Sequence, residues 1–327
     1  MINIPLYQTI KNIEFQIIRK CTMNCCYCSN EDGETCISRN YNVRYSEVID
    51  QLPNIEKITL TGGEPSMCID TIRYFSSIAK EKKIILQLNT NGYIENMDLL
   101  DELISLFDII HFSAVNTVDR KKFGIIRGVE NNAFDVINNN IKYTFLSKSV
   151  KTVVEIIIGT FNENDILELY NYYKTISHEI QLQPLIINGR AMSDMQIGKD
   201  HISQIIKSIN DAHKKDRLNV ELKLWCKPFL SRTINEITNN IECECGITSL
   251  YITYDGLVLP CNVGFYSDYL HPEQISLKQK SIIHILESSD FYSKINKYDC
   301  DYIRKIGLCN IFTKNDIFDE KGVGICA

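Results

Sequence analysis

Over the first two thirds of the chain, short apolar runs alternate with longer stretches whose apolar residues recur at helical spacing. EFQII, residues 14–18, leads into a loop. KITL is followed by IDTIRYFSSIAKE, KIILQL by NMDLLDELISLF, DIIHFSAV by NAFDVINNNIKYTF, TVVEIII by NDILELYNYYKTI, and IQLQPLII by ISQIIKSINDAHKK. The short runs predict strands and the longer ones amphipathic helices, giving six strand-then-helix units by Lys215. Strands read as apolar throughout and separated by such helices predict a parallel sheet covered by helices, either a barrel or an open wound sheet. Within this pattern the stripe Ile166, Leu169, Tyr170 and Tyr173 is the core-facing side of one helix. From Leu218 the rhythm changes. SLYITYD and LVLPC predict a hairpin around Asp255-Gly256, and the rest is irregular and punctuated by cysteine. The chain therefore divides into residues 1–217 and a smaller part, 218–327, with no internal repeat.

A chain of 327 residues can bury a core without disulfides. The net charge of −6 and the lack of a basic block argue against a nucleic-acid partner. The longest apolar runs, such as VVEIII, are too short to span a bilayer, and MINIPLYQTI lacks a charged leader followed by an apolar segment. The expected location is the cytoplasm, with no membrane partner. In a reducing compartment thirteen cysteines point to metal ligation or catalysis. Cys21, Cys25, Cys26, Cys28 and Cys36 lie early, Cys68 stands alone, and Cys226, Cys243, Cys245, Cys261, Cys300, Cys309 and Cys326 lie late.

In CTMNCCYC, with Cys26 set aside, Cys21, Cys25 and Cys28 form C-x3-C-x2-C. Three thiolates on one loop can hold three irons of a 4Fe-4S cube and leave the fourth open to a ligand. A zinc site completed by Cys26 or Cys36, or thiols without metal, are the alternatives on spacing alone. One strand later comes TGGEP, in which two glycines allow a close backbone approach and a carboxylate can receive an ammonium. Chemistry in such folds gathers where strands end, which is where both motifs and NTNG fall.

Together these elements resemble the radical S-adenosylmethionine (radical SAM) enzymes. In that family the cysteine loop after the first strand binds an open 4Fe-4S cluster, and Tyr27 fills its aromatic place. The resemblance implies that Gly62, Gly63, Glu64 and Pro65 hold the methionine amino group of the cofactor. It also implies cofactor contacts for Asn89 and Asn91 in NTNG and for Ser113, although a simple turn and a buried hydroxyl explain these equally well. FGIIRGVENNAFDVINNNI and PLIINGRA are similar to the family's fourth and sixth units. The implied fold is α/β, a partial (β/α)6 TIM-like barrel.

CGITSLYITYDGLVLPC resembles the opening of the SPASM or Twitch domains found in one branch of these enzymes, where a hairpin carries two thiolates of an auxiliary 4Fe-4S cluster. That assigns Cys245 and Cys261 to such a cluster, with Cys309 and Cys243 as the further candidates and Cys226, Cys300 and Cys326 as alternates. The dense four-cysteine run of a full SPASM domain is missing, so one auxiliary cluster is expected. A second would need a carboxylate from Asp299 or Asp301. Cys68 and His111 are weak catalytic candidates, a small buried thiol and a core histidine being the simpler readings.

The resemblance implies reductive cleavage of S-adenosylmethionine to a 5′-deoxyadenosyl radical that abstracts a substrate hydrogen. Relatives with this C-terminal domain act mostly on peptides, so the first expectation is modification of a ribosomally synthesised peptide by oxidative cross-linking, dehydrogenation or epimerisation. An electron donor such as flavodoxin or ferredoxin is implied. With about twenty residues before Cys21, a leader peptide needs a separate binding protein or the barrel face. Dehydrogenation or rearrangement of a small molecule such as an amino sugar is the alternative, and an iron-sulfur electron-transfer or metal-binding module is the non-enzyme alternative. The molybdopterin-precursor cyclases share the length and TGGEP, but have tighter C-terminal cysteine spacing and a di-glycine end absent from GVGICA.

Overall fold

A computed structural model describes residues 4–29, 45–113, 116–130, 132–216, 219–224, 243–262, 270–297 and 300. Seven parallel strands follow one another in chain order: β1 (Asn12–Ile18), β2 (Lys57–Gly62), β3 (Ile85–Thr90), β4 (Ile109–Ser113), β5 (Lys151–Ile158), β6 (Glu179–Pro184) and β7 (Glu221–Leu224). The short α1 (Leu6–Thr9) precedes β1, and α2 (Tyr45–Gln51) precedes β2. Then α3 (Ile69–Lys82), α4 (Met97–Leu106), α5 (Arg120–Arg127), α6 (Asn132–Ser147), α7 (Ile166–Tyr173) and α8 (Lys199–Lys215) fill the later crossovers. The units expected from periodicity are present in this partial barrel. The strand ELKL and the helix YSEVIDQ, each too short to give a periodic signal, are additional.

The hairpin is also present, but it does not stand apart. β8 (Ser249–Ile252) pairs parallel to β1, with Asn12 opposite Ser249 and Phe15 opposite Ile252, and β9 (Val258–Leu259) turns back antiparallel on β8. The turn forms where Asp255-Gly256 predicts it, with Gly256 N–H donating to Thr253 O at 2.9 Å. The nine strands therefore make one sheet, and α9 (Pro272–Ile275), α10 (Ile282–Ser288) and α11 (Asp290–Ile295) follow it in the chain.

Sequence explains the helix ends locally. Asn96 and Asp119 cap α4 and α5 by accepting the first free N–H groups, those of Asp98 and Leu99 and of Lys121 and Lys122. Phe15, Leu60, Leu88, Phe112, Val154 and Leu182 are buried on the sheet face covered by helices. The stripe Ile166, Leu169, Tyr170 and Tyr173 packs into that core as expected. Each large apolar side chain buried here contributes about 1.5–3 kcal/mol.

The other face departs from the expectation of strands apolar throughout. NIEFQII, KITLTG, ILQLNT and EIQLQP alternate strictly, and the face turned inward carries Glu14, Thr59, Asn89, His111, Glu155 and Gln181. The barrel lumen is polar. At its foot, Glu179 Oε2 accepts from Lys151 Nζ and Lys223 Nζ, both at 2.7 Å, while Gln181 Nε2 donates to Oε1 at 2.6 Å. Burial alone would raise the Glu179 pKa, but the hydrogen bonds from Lys151, Lys223 and Gln181 hold it down to about 2.

This cluster gives a stability prediction. Glu179→Gln removes the buried anion shared by Lys151 and Lys223, leaving them the exposed Glu221 at 3.0 and 3.5 Å, and should cost about 1–2 kcal/mol in denaturant unfolding. In the native protein the carboxylate's contribution is fully present above its ordinary pKa of 4.5 and is lost as pH falls toward about 2. An unfolding free energy that Glu179→Gln leaves unchanged, or a native acid limb that the variant fails to remove, would show the cluster to be idle.

Candidate active site

All seven parallel strands end on the same rim, and the loop of Cys21, Cys25 and Cys28 leaves β1 there. Backbone contacts hold this loop from two sides. Asn24 N–H donates to Arg127 O at 3.0 Å and Cys26 N–H to Ile126 O at 2.9 Å, at the end of α5. Arg190 N–H donates to Cys28 O at 3.0 Å from the segment after β6. Gly128 ends α5 at φ +60°, and a Cβ on it would lie 2.5 Å from Asn24 O. Glycine therefore lets the helix end touch the loop. The FGIIRG and NGRA segments thus embrace the cysteines.

Glu64 ties the remaining motifs together. Its side chain has no exposed surface; Oε1 accepts from Ser66 N–H at 3.0 Å and Thr90 Oγ1 at 2.8 Å, and Oε2 from Asn91 N–H at 2.8 Å. Asn91 then reaches the cysteine loop, donating from Nδ2 to Thr22 Oγ1 at 3.0 Å and to Cys21 Sγ at 3.6 Å. A carboxylate has about four acceptor positions, so the internal bonds leave little of Glu64 for an incoming ammonium. Burial also pushes its pKa up. The glycines before it have a protein neighbour as well. Gly63 N–H donates to Ile18 O and Glu64 N–H to Lys20 O, at 2.8 and 2.9 Å, and a Cβ on Gly63 would sit 2.2 Å from Lys20 O.

Arg127, 2 % exposed, is a second junction. Nη1 donates to Tyr27 Oη at 2.6 Å and Ser113 Oγ at 3.2 Å, and Nη2 donates to Ser113 O at 3.0 Å. Tyr27 also accepts from Asn116 Nδ2 and stacks on Phe161 with centroids 5.0 Å apart. Tyr27 and Ser113, both expected at the cofactor site, are thus joined to each other by one buried guanidinium. Its hydrogen-bond acceptors are neutral oxygens, and Nε has no partner among the described residues. Burial opposes the charge on Arg127, while Tyr27 and the sulfurs of Cys25 and Cys21 sustain it.

Burial raises the Cys21 thiol to about 11 and lifts Cys25 and Cys26 too, with Arg127 opposing the rise at Cys25. Bound iron would stabilise these sulfurs as thiolates, and the thiolates would give Arg127 the anion it lacks. The residues present therefore fit an iron-sulfur cluster on Cys21, Cys25 and Cys28. Cys36 lies outside the described residues.

At the opposite end of the sheet, Cys245 precedes β8 and Cys261 follows β9. The antiparallel return puts the Cys245 thiol within hydrogen-bonding reach of both Cys243 and Cys261. The described residues offer no group of three such donors gathered on one ion. In a 4Fe-4S cluster each cysteine takes a different iron. Cys300 is exposed, and Cys226, Cys309 and Cys326 lie outside the described residues.

The other candidates separate by position. Cys68 stands at the start of α3, just past GGEP. Asn89 faces down the lumen, where Oδ1 accepts from Gln87 Nε2 at 2.7 Å and lies 3.1 Å from His111 Nδ1. It shares none of these contacts with Asn91. Burial lowers the His111 pKa to about 4, so the ring is neutral at pH 7. Sequence reasoning missed Thr22, Thr90, Asn116 and Arg127 near the rim, and Glu14 and Glu155 in the lumen. A lone acid in the apolar runs EFQII and TVVEIII marks the last two, while no local signal in RKKFGIIRG singles out Arg127.

Residues 15–173 match the Radical SAM superfamily. A probable GTP 3′,8-cyclase of Pyrococcus abyssi is 27% identical over 270 residues, covering 77% of this chain and 84% of that protein. Among solved structures, Streptococcus suis SuiB bound to its precursor peptide SuiA superposes with a TM-score of 0.68 at 12% identity, covering 98% of this chain and 75% of SuiB. The enzyme anSMEcpe with bound AdoMet and Cp18Cys peptide gives 0.66 at 13% identity, covering 91% of this chain and 87% of that one. Likeness at these identities establishes the shared fold.

Two substitutions test the loop. Cys26→Ala should retain the iron of anaerobically reconstituted protein, whereas Cys25→Ala should lose about four irons per chain. Equal loss from both would make Cys26 a ligand. Gly63→Ala forces its Cβ against Lys20 O and should cost at least about 1–3 kcal/mol in thermal or denaturant unfolding.

Proposed function

We propose that this chain is a radical SAM enzyme that modifies a ribosomally synthesised peptide by abstracting a hydrogen atom and oxidising the product, a reading supported by the match of residues 15–173 to the Radical SAM superfamily. The observation that supports an oxidation is the placement of the two cysteine groups. Cys21, Cys25 and Cys28 leave β1 at its C-terminal end, while Cys243, Cys245 and Cys261 gather beyond the N-terminal end of its neighbour β8. The ends of β1 are about 20 Å apart. The polar lumen lies between them.

When bound, the loop cluster and S-adenosylmethionine supply a 5′-deoxyadenosyl radical able to take a hydrogen atom from substrate. The chain's own part is placement. Cys21, Cys25 and Cys28 would hold the cluster, Asn91 orients the loop, and Arg127 sets Ser113 and Tyr27. An auxiliary cluster held in part by Cys243, Cys245 and Cys261 would receive the substrate's second electron. The substrate's first electron leaves with the abstracted hydrogen atom, and an external donor, a flavodoxin or ferredoxin, would supply the separate electron that reductive cleavage of S-adenosylmethionine consumes.

The similarity to structures solved with peptides supports a peptide substrate. The GTP 3′,8-cyclase relative raises a nucleotide as the second reading. The lumen disfavours it. Lys151 and Lys223 are engaged by Glu179, and Glu14 and Glu155 have no cation within ion-pairing distance among the described residues. An anion about 6 Å from either carboxylate in its ionised form would meet about 3 kcal/mol of repulsion at an effective dielectric near 20.

Anaerobic reconstitution tests this. About eight irons per chain, with 5′-deoxyadenosine formed after reductant and S-adenosylmethionine are added, match one loop cluster and one auxiliary cluster. About four irons would remove the auxiliary site from the proposal. Zinc in place of iron, or iron-loaded protein that never cleaves the cofactor, would leave a binding module. Mass spectrometry of candidate peptides should then show loss of a hydrogen pair, or deuterium uptake in heavy water if the change is epimerisation.

A further inference from the structure

Among the described residues, the carboxylates Glu14, Glu155 and Glu179 on the inward face are matched differently. Glu179 at the foot has two lysines at 2.7 Å. Glu14 on β1 receives only neutral donors, Asn262 Nδ2 at 3.3 Å from each oxygen and the Thr61 hydroxyl. Glu155 on β5 has a like charge, Glu14, and a distant Arg127 as its electrostatic neighbours. Neither carboxylate has a cation within ion-pairing distance among the described residues, although Lys57 lies near enough to Glu14 to be felt.

The curl of the sheet makes this a site. On a flat sheet β1 and β5, four strand spacings apart, would be separated by about 19 Å. In the barrel both residues stand on the inward face, and after burial, Glu14 is among the causes that raise the Glu155 pKa. A third acceptor lies on β4 between them. His111 is 8 % exposed, its Nδ1 hydrogen bonds to Asn89 Oδ1, and its Nε2 is buried without a partner among the described residues. With Nδ1 as the donor to a carbonyl oxygen, the neutral ring presents Nε2 as a lone-pair acceptor. A buried acceptor left unmatched, as His111 Nε2 is, is costly, and the half-buried Glu14 and Glu155 beside it lack a paired cation among the described residues.

We propose that Glu14 and Glu155, with His111 Nε2, receive a protonated primary amine of the molecule that enters the lumen, so the substrate is amine-bearing. An ammonium has three N–H donors and one positive charge, the complement of two carboxylates and an imidazole acceptor. Burial raises both carboxylates to about 7, and a bound cation would restore their charge. The site deepens the radical SAM reading, which it requires only in calling the occupant a substrate. A lysine side chain or free N-terminus of a peptide and a small amino compound share this chemistry.

Calorimetric titration of the reconstituted protein separates the sources. Nα-acetyl-lysine N-methylamide and glucosamine are the two amine probes, each compared with its N-acetylated neutral form. At least one amine should bind about tenfold or more tighter than its neutral form. The lysine probe marks a peptide source and glucosamine a small molecule. E14Q/E155Q should abolish the preference, with its melting curve and iron content recording that it folds. No preference in the native protein, or a preference that survives both substitutions, overturns the proposal, and the native comparison decides even if the variant is unstable. Amine preference in protein that never cleaves S-adenosylmethionine would uphold the site while removing the radical SAM reading. Cleavage without amine preference would do the reverse.

Discussion

The rim of this barrel depends on a carboxylate that touches no solvent. Glu64 receives Ser66, Thr90 and Asn91, and through Asn91 it fixes the position of Thr22 and Cys21. Three chain segments far apart in sequence, the cysteine loop, the GGEP turn and the NTNG turn, are thereby locked into one another. A buried carboxylate is tolerable only when its acceptor positions are filled, so the same bonds that satisfy Glu64 also determine where the cysteines stand. Arg127 does the corresponding work on the opposite side of the loop. There, Tyr27 and Ser113 share one guanidinium fork whose Nε is still unmatched.

Much of this was legible in the residues. Cys21, Cys25, Cys28, Gly63 and Glu64 announce themselves because spacing and residue type are sufficient to suggest cluster chemistry and close backbone approach. The strand-then-helix units were visible because helices of more than two turns repeat their apolar face. β7 and α2 escaped because four and seven residues carry too little periodicity, and the hairpin's place beside β1 escaped because pairing between residues 12 and 249 leaves no local trace. Arg127 is harder still. Nothing in RKKFGIIRG says which of its four cations is buried, and only the packing of α5 on the cysteine loop decides it.

The polar lumen is the instructive miss. Isoleucine, leucine and phenylalanine dominate the strands by bulk, and reading them as apolar throughout hides the alternation of β1, β2, β3 and β6. A barrel strand has two environments, helix layer and interior, and here the interior carries glutamate, glutamine, asparagine, threonine, lysine and histidine beside a few apolar residues such as Ile109 and Val153. Such an interior would be wasteful in a barrel filled by its own side chains. Around a guest molecule it is a lining, and its charge distinguishes among guests more sharply than its shape.

β1 has neighbours on both edges, β2 on one side and β8 on the other. The strand that launches the cysteine loop is therefore an interior strand only because residues 249–252 cover it. A fragment ending before the hairpin would leave the backbone donors and acceptors of Asn12–Phe15 bare, an open edge of the kind that pairs with other chains and aggregates. Although cysteine content sets the C-terminal third apart, the barrel cannot be cut from it cleanly. The last third is part of the wall that keeps the first strand in register.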